Sequence, residues 1–379
     1  MSEPLSNIPR GMRYYFGAEA RIRRVVEDTA MSVFDGWSYE EMTTPSVDYY
    51  ALFEQGMGRR QAERAFRFTD ADGRLLALRP DVTSSLARAA ATLFAERERP
   101  LRLCYVAPVF RQKPQSHAEW KRESRQIGCE LIGAANTEAD MEMLAIAVEV
   151  FQRLGFGQNS YCITLNDVEV FNGVAEGLAL DDSSRDQMRL LIDSRDAADL
   201  QRFLAPYAAP DEREGFARLI QLSGKRETLA EARRLITNPR SVAALHRLEE
   251  LWRIIEALSL TDYFEIDFGD VSGLDYYTGL TFKMYLSGAG ARVGGGGRYD
   301  QLTSNFGRPE PAVGFVFDLD ALTDVLARSK NSTPAREPER TVVPIRNDDS
   351  TAIFFEAIGK RARGERLLIE SCEVKQCRN

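Results

Sequence analysis

Five short segments carry side chains suited to holding a small nitrogenous ligand. They are Leu78-Arg79-Pro80-Asp81-Val82-Thr83, Phe110-Arg111, Gln126-Ile127-Gly128-Cys129-Glu130, Ser272-Gly273-Leu274-Asp275-Tyr276-Tyr277-Thr278-Gly279 and Gly294-Gly295-Gly296-Gly297-Arg298-Tyr299-Asp300-Gln301-Leu302. Asp81, Thr83 and Gln126 supply a carboxylate, a hydroxyl and an amide, the set that an ammonium group needs. Glu130 and Tyr299 supply an acceptor and a polar partner for the two nitrogens of an imidazole, and Tyr277, beside Tyr276, can close over such a ring. Arg111 brings a cation for an anionic group. Taken singly, each residue has a plainer reading: Asp81 as a helix cap, Glu130 as a solvated strand position, the tyrosines as sheet aromatics. The ordered set is what points to a ligand.

The 379 residues suffice for one large domain and a smaller one, and 44% hydrophobic content allows a sizeable core. No run of apolar residues is long enough to span a bilayer, and Met1 to Arg10 contain no apolar signal region, so a cytoplasmic protein without a membrane partner is expected. Cys104, Cys129, Cys162, Cys372 and Cys377 lack metal-ligand spacing, and His117 and His246 add no recognisable zinc site, so no metal is expected. The net charge of −8 comes with no long basic stripe, which weighs against nucleic acid.

Apolar spacing predicts an amphipathic helix over 18–35, an extended stretch from Trp37 to Thr44, and a hairpin from Phe66–Thr69 and Leu75–Leu78. A helix over Ser84–Glu96 follows, capped by Asp81 or Thr83. Strands are expected over Leu101–Arg111 and Arg122–Gly133, antiparallel to one another, and a helix over Thr137–Leu154. Residues 167–262 read as a helical insertion, with helices at Asp186–Ile192, Ala197–Leu204, Leu229–Ile236 and Ala243–Leu258. The sheet resumes at Tyr263, and a helix is expected over Phe317–Ala327. The four glycines at 294–297 alone would suggest a flexible hairpin turn. Residues 329–340 read as a linker, and 341–379 as a strand, helix and strand forming a small C-terminal region. The class is α+β.

The segments at 272–279 and 294–302 closely resemble the paired histidine motifs of histidyl-tRNA synthetases. The resemblance covers about residues 8–328. It includes Pro9-Arg10-Gly11-Met12, the class II motif 1 stretch Tyr39-Glu40-Glu41-Met42-Thr43-Thr44-Pro45, whose proline lies at the dimer interface in that family, and motif 2 at Phe110-Arg111 and Gln126–Glu130. It implies a class II synthetase-like antiparallel sheet flanked by helices over 1–328, with the insertion and a short C-terminal α/β fragment. It also implies that Asp81, Thr83, Arg111, Gln126, Glu130, Tyr276, Tyr277 and Tyr299 bind histidine. Asp81 stands where the family has glutamate.

The nucleotide side departs from the synthetases. Ser272 stands where their first histidine motif opens with arginine, Trp120 aligns with the second motif 2 arginine, and Ala321 stands for the motif 3 arginine. Asp318 replaces a usual glycine. Adenylation needs cations on the triphosphate, and one lost donor costs about 2.7–4 kcal/mol, so own adenylation is predicted absent. The C-terminal region is about half the expected length of an anticodon-binding domain. This profile is similar to the regulatory subunits of ATP phosphoribosyltransferase. The resemblance implies a non-catalytic subunit, required by a short-form catalytic subunit in the first step of histidine biosynthesis. It further implies L-histidine as allosteric effector, no cofactor, no tRNA, a homodimer through the core and a hetero-octamer overall. The stretches Gly288–Gly297 and Gln112–Trp120 are the expected moving parts. An active ligase, with Arg292 or Arg298 as replacement cations, and a ligand-free interaction module are the other two classes.

Overall fold

The structure is a computed structural model that describes residues 6–113, 121–270, 276–328, 341–345 and 350–371. In chain order its elements are α1 (Gly17–Gly36), β1 (Glu40–Glu41), β2 (Val47–Tyr49), α2 (Tyr50–Met57), α3 (Arg59–Ala62), β3 (Arg67–Thr69), β4 (Leu75–Leu78), α4 (Thr83–Ala91), β5 (Leu101–Phe110), β6 (Glu123–Ile132), α5 (Thr137–Arg153) and β7 (Tyr161–Asp167). Then come α6 (Val168–Gly177), α7 (Asp182–Asp193), α8 (Ala197–Leu204), α9 (Pro210–Leu219), β8 (Ser223–Gly224), α10 (Arg226–Leu235), α11 (Pro239–Ala257) and β9 (Phe264–Asp267). The remainder is β10 (Leu280–Leu286), β11 (Gly294–Arg298), β12 (Ala312–Asp318), α12 (Leu319–Arg328), β13 (Thr341–Ile345), α13 (Ser350–Ala362) and β14 (Leu367–Ser371).

Nine strands form one sheet in the order β1-β5-β6-β12-β11-β10-β7-β9-β8. Only β1–β5 and β7–β9 run parallel; the other neighbours are antiparallel. This is the α+β class II architecture that the resemblance implies. One face of the sheet is sealed by α1, α5 and α11, whose buried Val33, Phe34, Leu144, Phe151, Leu248 and Trp252 share a core with Ile127, Phe282, Phe315 and Phe317. Insertion side chains such as Leu200, Leu204 and Phe216 join that same cluster. The opposite face carries α4, through Leu86 and Ala90, against Leu101, Leu103 and Tyr105 of β5. That half-covered face is where the ligand residues sit.

Several expectations are corrected. Between Trp37 and Thr44 only Glu40–Glu41 pair as strand, because Ser38 turns the chain in a left-handed conformation (φ 66°). The helix after Pro80 runs Thr83–Ala91, and Thr92 folds its hydroxyl back on the Arg88 carbonyl at 2.7 Å where the chain leaves it. Phe317 belongs to strand β12, and the helix begins at Leu319, where Asp318 Oδ1 accepts the Ala321 N–H at 2.9 Å. β2, β7, α2, α6 and α9 go beyond the expected elements.

Gly294–Gly297 do not form a turn. They are an inner strand, paired with β10 on one side and β12 on the other. Side chains would not fit: a Cβ on Gly294 would lie 2.6 Å from Met284 Cε, and one on Gly296 would lie 2.5 Å from Phe315 Cβ. Glycine costs a strand entropy, so four in a row mark close approach rather than intrinsic strand preference.

Helix α11, which packs along α6, is started by Asn238, whose Oδ1 accepts the Ser241 N–H at 2.8 Å, with Pro239 in the first turn. Asn238→Ala is expected to lower stability by about 1 kcal/mol, read as a shift in the urea midpoint at unchanged slope.

Candidate functional site

The sheet register aligns the ligand residues. Antiparallel pairing places Glu130, Gly314, Gly297, Thr281 and Asn166 in one row across β6, β12, β11, β10 and β7. Two residues along, Gly128, Val316, Gly295, Lys283 and Thr164 form the next row on the same face. Alternate glycines therefore leave that face open, and the polar residues flank the opening. The result is a cavity of about 450 Å³, a size suited to a small molecule.

Asp81, Thr83, Arg111, Gln126, Glu130, Tyr276, Tyr277 and Tyr299 all line this cavity. Glu130 is its centre. The carboxylate is 2% exposed and accepts the Tyr299 hydroxyl at 2.5 Å and the Thr83 hydroxyl at 2.8 Å. Burial pushes its pKa up to about 8, against the lowering effect of those two hydrogen bonds. Gly314 makes the space: a Cβ there would fall on Glu130 Oε2. The three tyrosines pack edge to face, with centroids 5.0 Å apart for Tyr276–Tyr277 and 5.8 Å for Tyr276–Tyr299. The Tyr277 ring lies over Gly297, so close that a Cβ there would be 2.9 Å from its Cε1.

Asp81 stands one residue before the α4 N-cap, which is Val82. It lines the cavity, and it accepts from the Ser84 hydroxyl at 3.2 Å and the Ser84 N–H at 3.4 Å in the first turn of α4. Burial raises its pKa, while Ser84 and the charge of Arg111 oppose that. Arg111 donates from Nε to the Pro80 carbonyl at 3.1 Å, which ties it to the Asp81 loop. Thr83, expected beside Asp81, spends its hydroxyl proton on Glu130. Tyr105 goes beyond the sequence reading: it is buried, lines the cavity and pairs in register with Gly128. The alternation Leu101, Leu103, Tyr105, Ala107, Val109 along β5 places it on the cavity face.

The opposite end of the cavity is lined by Lys121, Ser124, Asp318 and Ala321. Lys121 Nζ lies 3.4 Å from both Asp318 carboxylate oxygens. Burial raises the Asp318 pKa and the Lys121 charge opposes it. A cation stands near this end, and Asp318 holds it. Ala321 lines the wall with a methyl. Trp120 and Ser272 lie outside the described residues, as does most of the stretch Gln112–Trp120. Arg292 lines the cavity. Arg298 is committed elsewhere, to Asp140 at 2.6 Å and to the carbonyls of Ala134 and Asn136.

The family model for histidyl-tRNA synthetase matches residues 11–322. An ATP phosphoribosyltransferase regulatory subunit of Moorella thermoacetica is 35% identical over 96% of this chain and 92% of its own length. The chain belongs to the histidyl-tRNA synthetase-like family of ATP phosphoribosyltransferase regulatory subunits. A histidine–tRNA ligase of Methanocaldococcus jannaschii is 32% identical over 90% of this chain and 79% of its own. Among solved structures, an ATP phosphoribosyltransferase regulatory subunit/histidyl-tRNA synthetase from Bacillus halodurans superposes with a TM-score of 0.85 at 26% identity, covering 99% of this chain and 95% of that one. The proteins that this chain is similar to thus include both subunits and ligases.

Proposed function

We propose that this chain is a non-catalytic regulatory subunit of ATP phosphoribosyltransferase that binds L-histidine in the Glu130 cavity and forms no adenylate of its own. One observation carries the reading. An amino-acid pocket, built on Glu130, Tyr299, Tyr277 and Asp81, stands beside a nucleotide end where Asp318 holds Lys121 and Ala321 replaces a cation. The imidazole meets Glu130, the ammonium group meets Asp81 and Gln126, and the carboxylate meets Arg111. The partner is the short-form catalytic subunit, in a cytoplasmic hetero-octamer with no tRNA and no cofactor. Among the described residues, no helix is long and apolar enough to cross a membrane.

A homodimer is supported by the small sheet β2-β4-β3. Register puts Val47 opposite Leu78, and both Tyr49 and Phe68 opposite Leu76, so one face is mostly apolar, with Val47, Tyr49 and Phe68 exposed on it and Arg74 at its edge on the Tyr49 hydroxyl. This face lies just after Pro45 of motif 1. Histidine regulates by binding one arrangement of the complex better than the other, and it shifts the population by that difference.

The test is co-expression with a short-form catalytic subunit, then assay of turnover of ATP with phosphoribosyl pyrophosphate. Turnover should depend on this chain and be suppressed by histidine. Tyr277→Ala should raise the inhibitory histidine concentration about tenfold, the equivalent of about 1.4 kcal/mol of lost ring contact. Pyrophosphate exchange with ATP and histidine by this chain alone would instead establish a ligase.

A further inference from the structure

The cavity lining also holds charged groups to which the histidine reading gives no part. Lys283 and Asp270 are two of them and form an ion pair, with side chains 14% and 7% exposed. Thr164 donates to Asp270 Oδ2 at 3.1 Å, and Asn166 Nδ2 donates to the Asp270 carbonyl at 3.1 Å. Burial, with the charge of Arg292 next, pulls the Lys283 pKa down to about 8. Asp270 thus anchors the chain to β7 and β10 six residues before Tyr276.

The turn that delivers Asp270 is gripped from the insertion. Arg195, between α7 and α8, has the left-handed backbone (φ 54°) that ends α7, with its N–H on the Ile192 carbonyl and the Asp196 N–H on that of Leu191. Its carbonyl accepts from Gln221 Nε2 at 2.9 Å. Its guanidinium pairs with Asp267 Oδ2, while Asp267 Oδ1 accepts the Gly269 N–H at 3.0 Å. The same guanidinium lies against Gly269, where a Cβ would sit 2.8 Å from its Cζ and 2.6 Å from the Ile220 carbonyl oxygen. Arg195 is thus joined to both ends of the turn, to Asp267 by charge and to Gly269 by contact, and Asp267 in turn holds the Gly269 N–H.

We propose that Arg195 is a positioning residue through which the helical insertion holds the histidine pocket, by fixing the Asp267–Asp270 turn that leads into Tyr276 and Tyr277. This rests on the histidine reading above. It makes the insertion a place from which a bound partner can alter histidine affinity.

The test uses the full chain and three variants, with histidine titrated calorimetrically and amide exchange followed without ligand over 264–285. Arg195→Ala should raise the histidine Kd about tenfold and speed exchange in that segment, the usual scale for coupling between linked sites. Arg195→Lys should restore both to within about threefold, since the charge returns without the contact on Gly269. Gly269→Ala should weaken histidine binding in the same direction while every charge is kept, because its Cβ would lie 2.6 Å from the Ile220 carbonyl oxygen and 2.8 Å from the guanidinium carbon and must shift the turn. The thermal midpoint separates this from a loss of folding: Arg195→Lys must match the parent protein. An unchanged Kd in Arg195→Ala overturns the proposal, whatever the exchange rates. If the parent protein takes up no histidine, the functional reading fails. Exchange alone then decides whether Arg195 fixes the turn, and unchanged rates overturn that too.

Discussion

Replacing Gly314 by alanine is expected to remove histidine binding. The new methyl would fall on Glu130 Oε2 and also lie 2.8 Å from the Cys129 carbonyl oxygen. Glu130 has no room to retreat, because it is buried on β6 between the Tyr299 and Thr83 hydroxyls. It must rotate away from the ring position or be pushed across it. A hydrogen bond to a charged group contributes about 1.5–3 kcal/mol, so its loss together with steric blockage should weaken binding roughly 100-fold or more. Overpacking typically costs about 1–3 kcal/mol, so the thermal midpoint is measured alongside. Gly290→Ala is the control: Gly290 also lines the cavity, but a Cβ there meets nothing within 4 Å, and affinity should hold within about twofold. Titration calorimetry on the two folded variants decides. Equal affinities would mean that Glu130 does not meet the imidazole.

Raising the pH from 4.5 to 8 is expected to remove on the order of 5 kcal/mol of stability from the ligand-free protein through Glu130 alone. Burial lifts its pKa from 4.5 to about 8. Between those values the folded state holds a proton that the unfolded chain has released. Stability is therefore fully present below pH 4.5 and is lost as pH rises through 8. A loss of that size is a large part of the total for an ordinary domain. Glu130→Gln keeps the shape and stays neutral, so its urea midpoints should fall far less between pH 5 and 8. Some slope will persist, because burial also raises the pKa of Asp81 and lifts Asp167 to about 6. Lys283, lowered to about 8 by burial, acts with the opposite sign above that pH. Parallel slopes for parent and variant would refute a protonated Glu130 in the empty pocket.

Most of the main sheet and of the candidate pocket was legible before any coordinates. The strands β5 and β6 alternate clearly, α5 repeats its apolar face at helical spacing, and the residues named for the pocket all reach one cavity. Local pattern failed where burial on both sides erased the alternation. β12 reads Ala-Val-Gly-Phe-Val-Phe-Asp, an apolar run whose length alone does not separate strand from helix, and it lent Phe317 to the expected helix. Lys121 escaped because its role depends on Asp318, far away in sequence and 3.4 Å away in space.

The sequence alone determined which groups are present. It supplied the carboxylates Asp81 and Glu130, the tyrosines, and Ser272, Ala321 and Asp318 at positions where the resemblance implies arginine, arginine and glycine, because side-chain chemistry travels with residue identity. Only the tertiary structure decided what those groups do to one another. Four consecutive glycines fit a turn as well as they fit a strand until Phe282, Met284, Phe315 and Phe317 close around them. Glu130 has an ordinary carboxyl until the sheet buries it beside Tyr299 and Gly314 leaves it just enough room. Arg195 and Asp267 are common surface residues until the insertion folds back and sets one on the other. Register, burial and close approach are properties of distant segments brought together, and no window along the chain contains them.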